Sequence, residues 1–159
     1  MASEPVVPTD GTTSEDRAAT ECVFCQIVAG EARAAAVYRD ERVMAFLVRE
    51  PVTPGHLLVI PNEHHAFLGE VPPDLAAHVF VVAQRLAGAL RSSGLPCEGI
   101  NLFYADGEAA FQEVFHAHLH VFARTVGDGF SLDSPAWQRP APAFDELAAN
   151  AAVIKRALE

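Results

Sequence analysis

The sequence predicts an α+β fold: an antiparallel sheet of about five strands with one long central helix and a carboxy-terminal helix. Three observations carry this prediction. Short apolar or alternating segments at residues 23–28, 37–47, 56–60, 99–104 and 114–123 are set apart by glycine and proline punctuation. Residues 73–94 change to helical period, with Leu75, Val79, Val82, Leu86 and Leu90 on one stripe behind Pro73 and Asp74 and ahead of Gly94. Residues 144–158 open on Asp145 and Glu146 and close on Lys155 and Arg156, the charge order a helix dipole favours.

Taken in order, residues 1–20 mix Pro, Thr, Ser, Asp and Glu without an apolar run and read as a disordered tail with no secretory signal. Residues 21–159 read as one domain that includes the carboxy-terminal helix. Half of the chain is apolar, 50% of 159 residues, which is enough for one substantial core. The segments 23–28 and 37–47, the latter ending in Val43-Met44-Ala45-Phe46-Leu47, read as strands of a first hairpin. Pro51, Pro54 and Gly55 mark a loop before the buried strand His56-Leu57-Leu58-Val59-Ile60, which Pro61 closes. The apolar stretch 79–90 is interrupted by Gln84, Arg85 and Gly88, so no membrane span is expected and a cytoplasmic, soluble protein is.

The net charge of -10, with no Lys/Arg cluster longer than a pair, argues against a duplex nucleic-acid partner. A small anionic ligand is still compatible, provided backbone N–H groups and histidines supply the local positive potential. The cysteine count of three is odd, which disfavours a disulfide framework and leaves metal binding or free thiols.

The most informative segment is His116-Ala117-His118-Leu119-His120-Val121-Phe122. On a strand, alternation puts the histidines and Phe122 on one face and the apolar residues between them on the other. Successive imidazoles then stand about 7 Å apart at two residues' rise. Neutral imidazole is a competent nucleophile near pH 7, and three in register point to chemistry or metal binding rather than to a solvated face.

This heptad resembles the alternating histidine signature of the histidine triad superfamily. The segments Cys22-Val23-Phe24-Cys25, Pro54-Gly55-His56-Leu57-Leu58-Val59-Ile60-Pro61, Asp106-Gly107-Glu108-Ala109-Ala110 with Gln112, and Gly127-Asp128-Gly129-Phe130 are similar to its bacterial nucleotide-binding branch in the same order. The resemblance implies a hydrolase or transferase acting at the α-phosphorus of a phosphoramidate, a dinucleoside polyphosphate or a related nucleotide conjugate. His118 is then the nucleophile, His120 and His56 support the phosphate oxygens and the leaving group, and Gln112 helps fix the phosphate. No catalytic metal is required. A homodimer is also implied.

The pair Cys22 and Cys25 offers half of a tetrahedral site. The resemblance implies His64 and His116 as the other ligands of a structural Zn²⁺, with His65 as a neighbouring rival for His64. Cys97 and His78 read as a half-buried thiol and an ordinary helix residue. The substrate end departs from the family pattern: Val48 stands where an acid or amide binds ribose hydroxyls, Ala105 where an amide is usual, Phe111 where glycine is, and Glu113 where Ser or Thr meets the phosphate. Phe111 and Glu113 therefore shape the substrate pocket. The competing reading is a zinc-stabilised module that binds a phosphorylated ligand without turning it over.

Overall fold

The computed structural model describes residues 21–131 and 141–158. The tail expected at residues 1–20 lies outside them. The first apolar segment is a helix, α1 (Val23–Ala29), and not a hairpin strand. Its largely apolar run, interrupted by Gln26, conceals an i, i+3 pair, Phe24 and Ile27, which are the buried residues. Gly30 closes it at φ 81°, a conformation that glycine adopts without strain, and Glu31 N–H caps the carbonyl of Gln26 at 2.8 Å. The same spacing sets Cys22 and Cys25 one turn apart on one face.

The hairpin is formed by β1 (Ala36–Arg39) and β2 (Val43–Leu47). Asp40 makes its turn, one carboxylate oxygen accepting the N–H groups of Arg42 and Val43 at 2.8 Å each. The other oxygen accepts Tyr38 Oη–H and His78 Nε2–H, both at 2.7 Å, so His78 ties the long helix to the sheet edge. Although burial pushes its pKa up, these hydrogen bonds hold Asp40 below the usual carboxylate range. Its contribution to stability is therefore complete above the unfolded carboxylate pKa of about 3.9 and is lost on acidification. Asp40→Ala is expected to cost about 1.5–3 kcal/mol, read as a lower urea midpoint at pH 7.

β3 (Leu57–Pro61), β4 (Gly99–Tyr104) and β5 (Leu119–Arg124) complete an antiparallel sheet of order β1-β2-β3-β5-β4. The helix α2 (Pro73–Ser92) packs on β3 and β5. Alternation divides the core between the two faces. Val43, Ala45, Val59, Leu119 and Val121 meet Leu75, Val79, Val82 and Leu86 on the α2 side. Met44, Phe46, Leu58 and Ile60 meet Phe24 and Ile27 of α1 on the other. Because α1 is only seven residues long, it covers part of that second face. His118 and His120 line the groove left beside it, whereas His116 is buried against Cys22 and Cys25.

The strand expected from residue 114 begins at Leu119. Before it, the backbone bonds elsewhere: His116 N–H to the Val114 carbonyl at 2.8 Å and Ala117 N–H to the His65 carbonyl at 2.6 Å. The alternation nevertheless persists, with Ala117 in the α2-side core. Residues beyond Asp128 form a separate unit, in which α3 (Phe144–Ala157) carries Asp145 and Glu146 in its first turn and Lys155 and Arg156 in its last. Among the described residues, no helix is long and apolar enough to cross a membrane.

Candidate active site and metal centre

Strand register builds the floor of the site. Phe46 pairs with Leu58, Leu58 with His120, and His120 with Phe103, so one row of side chains crosses β2, β3, β5 and β4 on a single face. Val48 N–H bonds the His56 carbonyl at 2.9 Å and starts the next row. Over this floor lies a groove of about 1030 Å³ that His118 and His120 line together with Phe24, Phe111 and Glu113.

Hydrogen-bond partners determine the tautomer of each imidazole. His118 Nδ1 lies 2.6 Å from the His116 carbonyl, which can only accept, so Nδ1 carries the proton and Nε2 keeps its lone pair. Val52 N–H donates to His56 Nδ1 at 3.2 Å, so His56 Nε2–H donates to His120 Nδ1 at 2.9 Å. His120 Nε2 therefore carries a proton. The His118 and His120 rings stand 4.9 Å apart, and the Phe24 ring meets His118 edge-on at 5.4 Å. The arrangement pairs a nucleophilic lone pair with a neighbouring N–H donor.

Burial lowers the pKa of all three rings. For His118 the bond to the His116 carbonyl and the charge of Glu113 oppose that fall. For His120, burial and the neighbouring His118 and His56 bring the value down to about 4. These imidazoles are neutral at pH 7, as nucleophilic attack requires.

Phe111 projects at the mouth of the groove, 78% exposed, on a backbone of φ 66° that disfavours a bulky side chain. Gln112 departs from the expectation that it fixes phosphate. It is 4% exposed, and its side chain is committed to backbone: Oε1 accepts Gly107 N–H at 2.7 Å, and Nε2 donates to the Ala66 carbonyl at 2.7 Å and the Val114 carbonyl at 3.2 Å. It holds the loop that presents Phe111 and Glu113. The groove floor was not anticipated in the sequence. Its signal was the period-two continuation of β2, which aligns Phe46 and Val48 with the histidine face once the register with β3 is known.

A second cluster lies behind the first. Cys22, Cys25, His64 and His116 bring four ligand atoms within 4.8 Å of one another. His116 is fully buried, and its Nε2–H donates to the Pro61 carbonyl at 2.9 Å, which leaves Nδ1 unprotonated toward the sulfurs. Nδ1 lies 3.5 Å from Cys22 Sγ and 3.6 Å from Cys25 Sγ, and His64 Nδ1 lies 3.3 Å from Cys25 Sγ. Zinc bonds of about 2.3 Å to sulfur and about 2.05 Å to nitrogen give a tetrahedral S–N edge of about 3.6 Å. The donor set fits. Burial, reinforced by Cys22, pushes the Cys25 thiol up to about 12, a position where a thiolate needs a cation beside it. His65 stands outside the set and uses its backbone carbonyl on Ala117. Cys97 is a half-buried thiol on the Gly99 carbonyl, and His78 is the partner of Asp40.

The HIT domain family model matches residues 29–127, from the end of α1 through the histidine segment. The chain belongs to the HIT family. A zinc-bound histidine triad family protein from Mycobacterium smegmatis is 43% identical, with a TM-score of 0.69 over 87% of this chain and 99% of that one. A histidine triad nucleotide-binding protein from Candida albicans is 28% identical, with a TM-score of 0.76 over 87% of this chain and 97% of that one. Adenylylsulfatase HINT3 of Arabidopsis thaliana is 32% identical over 120 residues, 75% of this chain and 60% of that protein. The open five-stranded antiparallel sheet is the HIT fold. The family thus includes proteins named for nucleotide binding and for hydrolysis.

Proposed function

We propose that this HIT protein is a nucleotidyl hydrolase or transferase, with His118 as nucleophile toward the α-phosphorus of a nucleotide conjugate. The single observation that supports it most is the His118 tautomer: Nδ1–H is held by the His116 carbonyl and the Nε2 lone pair is free beside His120. In the first half-reaction a bond forms from Nε2 to phosphorus as the bond to the leaving group breaks. The leaving atom departs with that electron pair and takes a proton from water. Water then attacks the nucleotidyl-histidine, or another acceptor does, and releases the nucleoside monophosphate or its transfer product. His120 Nε2–H donates to the phosphate oxygens as charge grows on them, and His56 holds that donor in place. The chemistry calls for positioning and fixed dipoles, without a catalytic metal.

Adenosine phosphoramidates, dinucleoside polyphosphates and adenylyl sulfate form the assay panel, the last because of the Arabidopsis relative's name. Release of adenosine monophosphate from any of them supports the reading. Its absence from all of them, together with measurable binding, favours the second reading, a phospho-ligand binding module, to which the Glu113 carboxylate near His118 lends weight.

The pH profile follows from the lowered histidine pKa values. A group depressed from about 6.5 to about 4 remains neutral across the interval where an exposed histidine protonates. Accordingly, because burial lowers the nucleophile His118, the acid fall of kcat/KM is expected below the ordinary histidine value of about 6.5. A fall centred at pH 6.5 contradicts the assignment. The His120 shift makes the neutral form's stabilisation complete above about pH 6.5, and it is lost progressively as the pH drops toward 4.

In this proposal the cysteine and histidine cluster holds a structural Zn²⁺ that ties α1 to the histidine segment. Residues 21–159 are taken as one HIT domain with its carboxy-terminal helix, and the protein as a cytoplasmic homodimer that binds neither duplex nucleic acid nor membrane. The dimer is supported by the exposed Phe80 and Val81 on α2 and Leu102 on the edge strand β4. Light scattering after size exclusion is expected to give twice the chain mass, and a monomer at micromolar concentration rules the dimer out.

A further inference from the structure

We propose that the end of the groove away from the histidines is an anion subsite, built by Arg33 and Arg49, for a second phosphate carried on the sugar of the substrate. The preferred substrates are then 2′- or 3′-phosphorylated nucleoside 5′-conjugates. The proposal rests on the nucleotidyl-transfer reading above.

Strand register orders the groove from one end to the other. The row through His120 on β5 runs by Leu58 of β3 to Phe46 of β2. Val48 N–H on the His56 carbonyl carries the β2–β3 pairing one row farther, and Leu47 N–H on the Ala35 carbonyl at 3.0 Å carries the β1–β2 pairing past Ala36. Two strand steps and one row put the backbone of Val48 about 12 Å from that of His120. There the segments 32–35 and 47–50 run side by side and line the groove, with Arg33 on one and Arg49 on the other. Between the two ends the walls are apolar, Phe46 and Leu58 from the sheet and Phe24 and Ile27 from α1, which suits the flat face of a base. A nucleoside that lies there with its 5′-phosphorus at His118 Nε2 reaches the two guanidinium groups through a phosphate on its sugar.

The other arginines of this unit are already engaged. Arg39 donates to the Val28 carbonyl at 2.8 Å, Arg42 to Asp74 at 2.6 Å, Arg85 to Tyr38 Oη at 3.5 Å and Arg124 to Asp128 at 2.7 Å. Arg91 stands in the last turn of α2, where its charge suits the helix dipole. Arg33 and Arg49 have no hydrogen bond or ion pair among the described residues, although Arg33 is half-buried. In a chain of net charge -10, two unpaired cations at one end of one groove reverse the local sign. Glu50 lines that end too and offsets one of them, while Glu113, the other groove carboxylate, acts on His118 at the reaction end. The planar guanidinium fork matches phosphate oxygens, and a phosphate monoester brings about -1.5 to -2 charges at pH 7, enough to engage both arginines.

The test compares adenosine 5′-phosphoramidate with its 2′-phosphate and 3′-phosphate derivatives on the purified full chain. At least one derivative is expected to exceed the parent in kcat/KM by about tenfold at low salt, and the ratio to shrink as salt screens the half-exposed pair. Which derivative leads tells which sugar oxygen carries the phosphate. Arg33→Gln and Arg49→Gln are each expected to lower the ratio, the double variant to bring it to about one, and Glu50→Gln to raise it. A wild-type ratio of one or less for both derivatives overturns the proposal, as does a preference that survives in the double variant. A readout independent of turnover separates the subsite from the reaction beneath it. On His118→Ala protein, calorimetric Kd values are expected to be about tenfold lower for the favoured adenosine bisphosphate, 2′,5′ or 3′,5′, than for adenosine 5′-monophosphate, and to converge when both arginines are replaced. Turnover failing while the bisphosphate still binds tighter counts against the reaction and for the subsite. Turnover with equal Kd values does the reverse. Inorganic phosphate that binds as tightly as the bisphosphate overturns the proposal as well, because the arginines then hold a free anion without the nucleoside.

Discussion

His118→Ala protein is expected to retain its fold and its ligand affinity and to lose turnover by about 10⁴-fold or more, the scale on which removal of an attacking nucleophile acts. The large effect follows from the division of labour among the imidazoles. His118 alone combines a pinned Nδ1–H with an open Nε2 lone pair. His120 has its Nδ1 occupied by His56 and offers a proton, which stabilises charge but cannot attack phosphorus. Losing that donor is expected to cost about 10²–10³-fold, the scale of an oxyanion donor. His56→Ala acts one step further out by freeing the His120 ring to take the wrong tautomer, and its loss in kcat should approach that of His120→Ala. Equal losses in all three variants contradict this ordering. Steady-state kinetics, with circular dichroism as the fold control, distinguish the cases.

Metal removal is the other change with a large expected effect. The purified protein is expected to contain one zinc per chain by elemental analysis, and Cys22→Ser or Cys25→Ser to abolish it. His116 is fully buried, with its Nδ1 directed at two sulfurs, so removal of the ion leaves a polar nitrogen and two thiols without their partner in the interior. Structural zinc in small domains accounts for several kcal/mol of folding free energy, which at this chain length corresponds to a fall in Tm of about 10 °C or more. Because His116 and His118 are two residues apart and the His116 carbonyl holds His118 Nδ1, stripping zinc should lower kcat as well. A metal-free protein with unchanged Tm and kcat rules out a structural ion.

Much of this architecture is legible in the sequence because it rests on local periodicity. The long helix, β4 and the split of residues 116–122 between two faces all follow from spacing, and the structure places Ala117, Leu119 and Val121 in the core as alternation requires. The ligand cluster is legible through the cysteine spacing together with the resemblance, and the four residues come together although they are far apart in sequence. Where the reading differs, tertiary context decides. Residues 23–28 are apolar apart from Gln26, a segment too short for periodicity to tell a strand from a short helix; burial of Phe24 and Ile27 against β2 and β3 selects the helix. The early start assigned to the last strand fails because Ala117 N–H goes to a loop carbonyl rather than to a ladder. Gln112 illustrates the limit most clearly. Its position in the motif is visible, but the direction of its amide depends on Gly107, Ala66 and Val114, which no local pattern connects.

The covalent intermediate is the most direct point of decision. Wild-type and His118→Ala proteins are mixed with an adenosine phosphoramidate, quenched within milliseconds to seconds under alkaline conditions that preserve phosphorus–nitrogen bonds, and weighed intact, with peptide mapping of any adduct. The account predicts an adenylyl mass on wild type, located on the peptide that contains His118, and none on His118→Ala. An adduct that survives in His118→Ala or maps to another residue, or substrate consumed at full rate by His118→Ala, contradicts it.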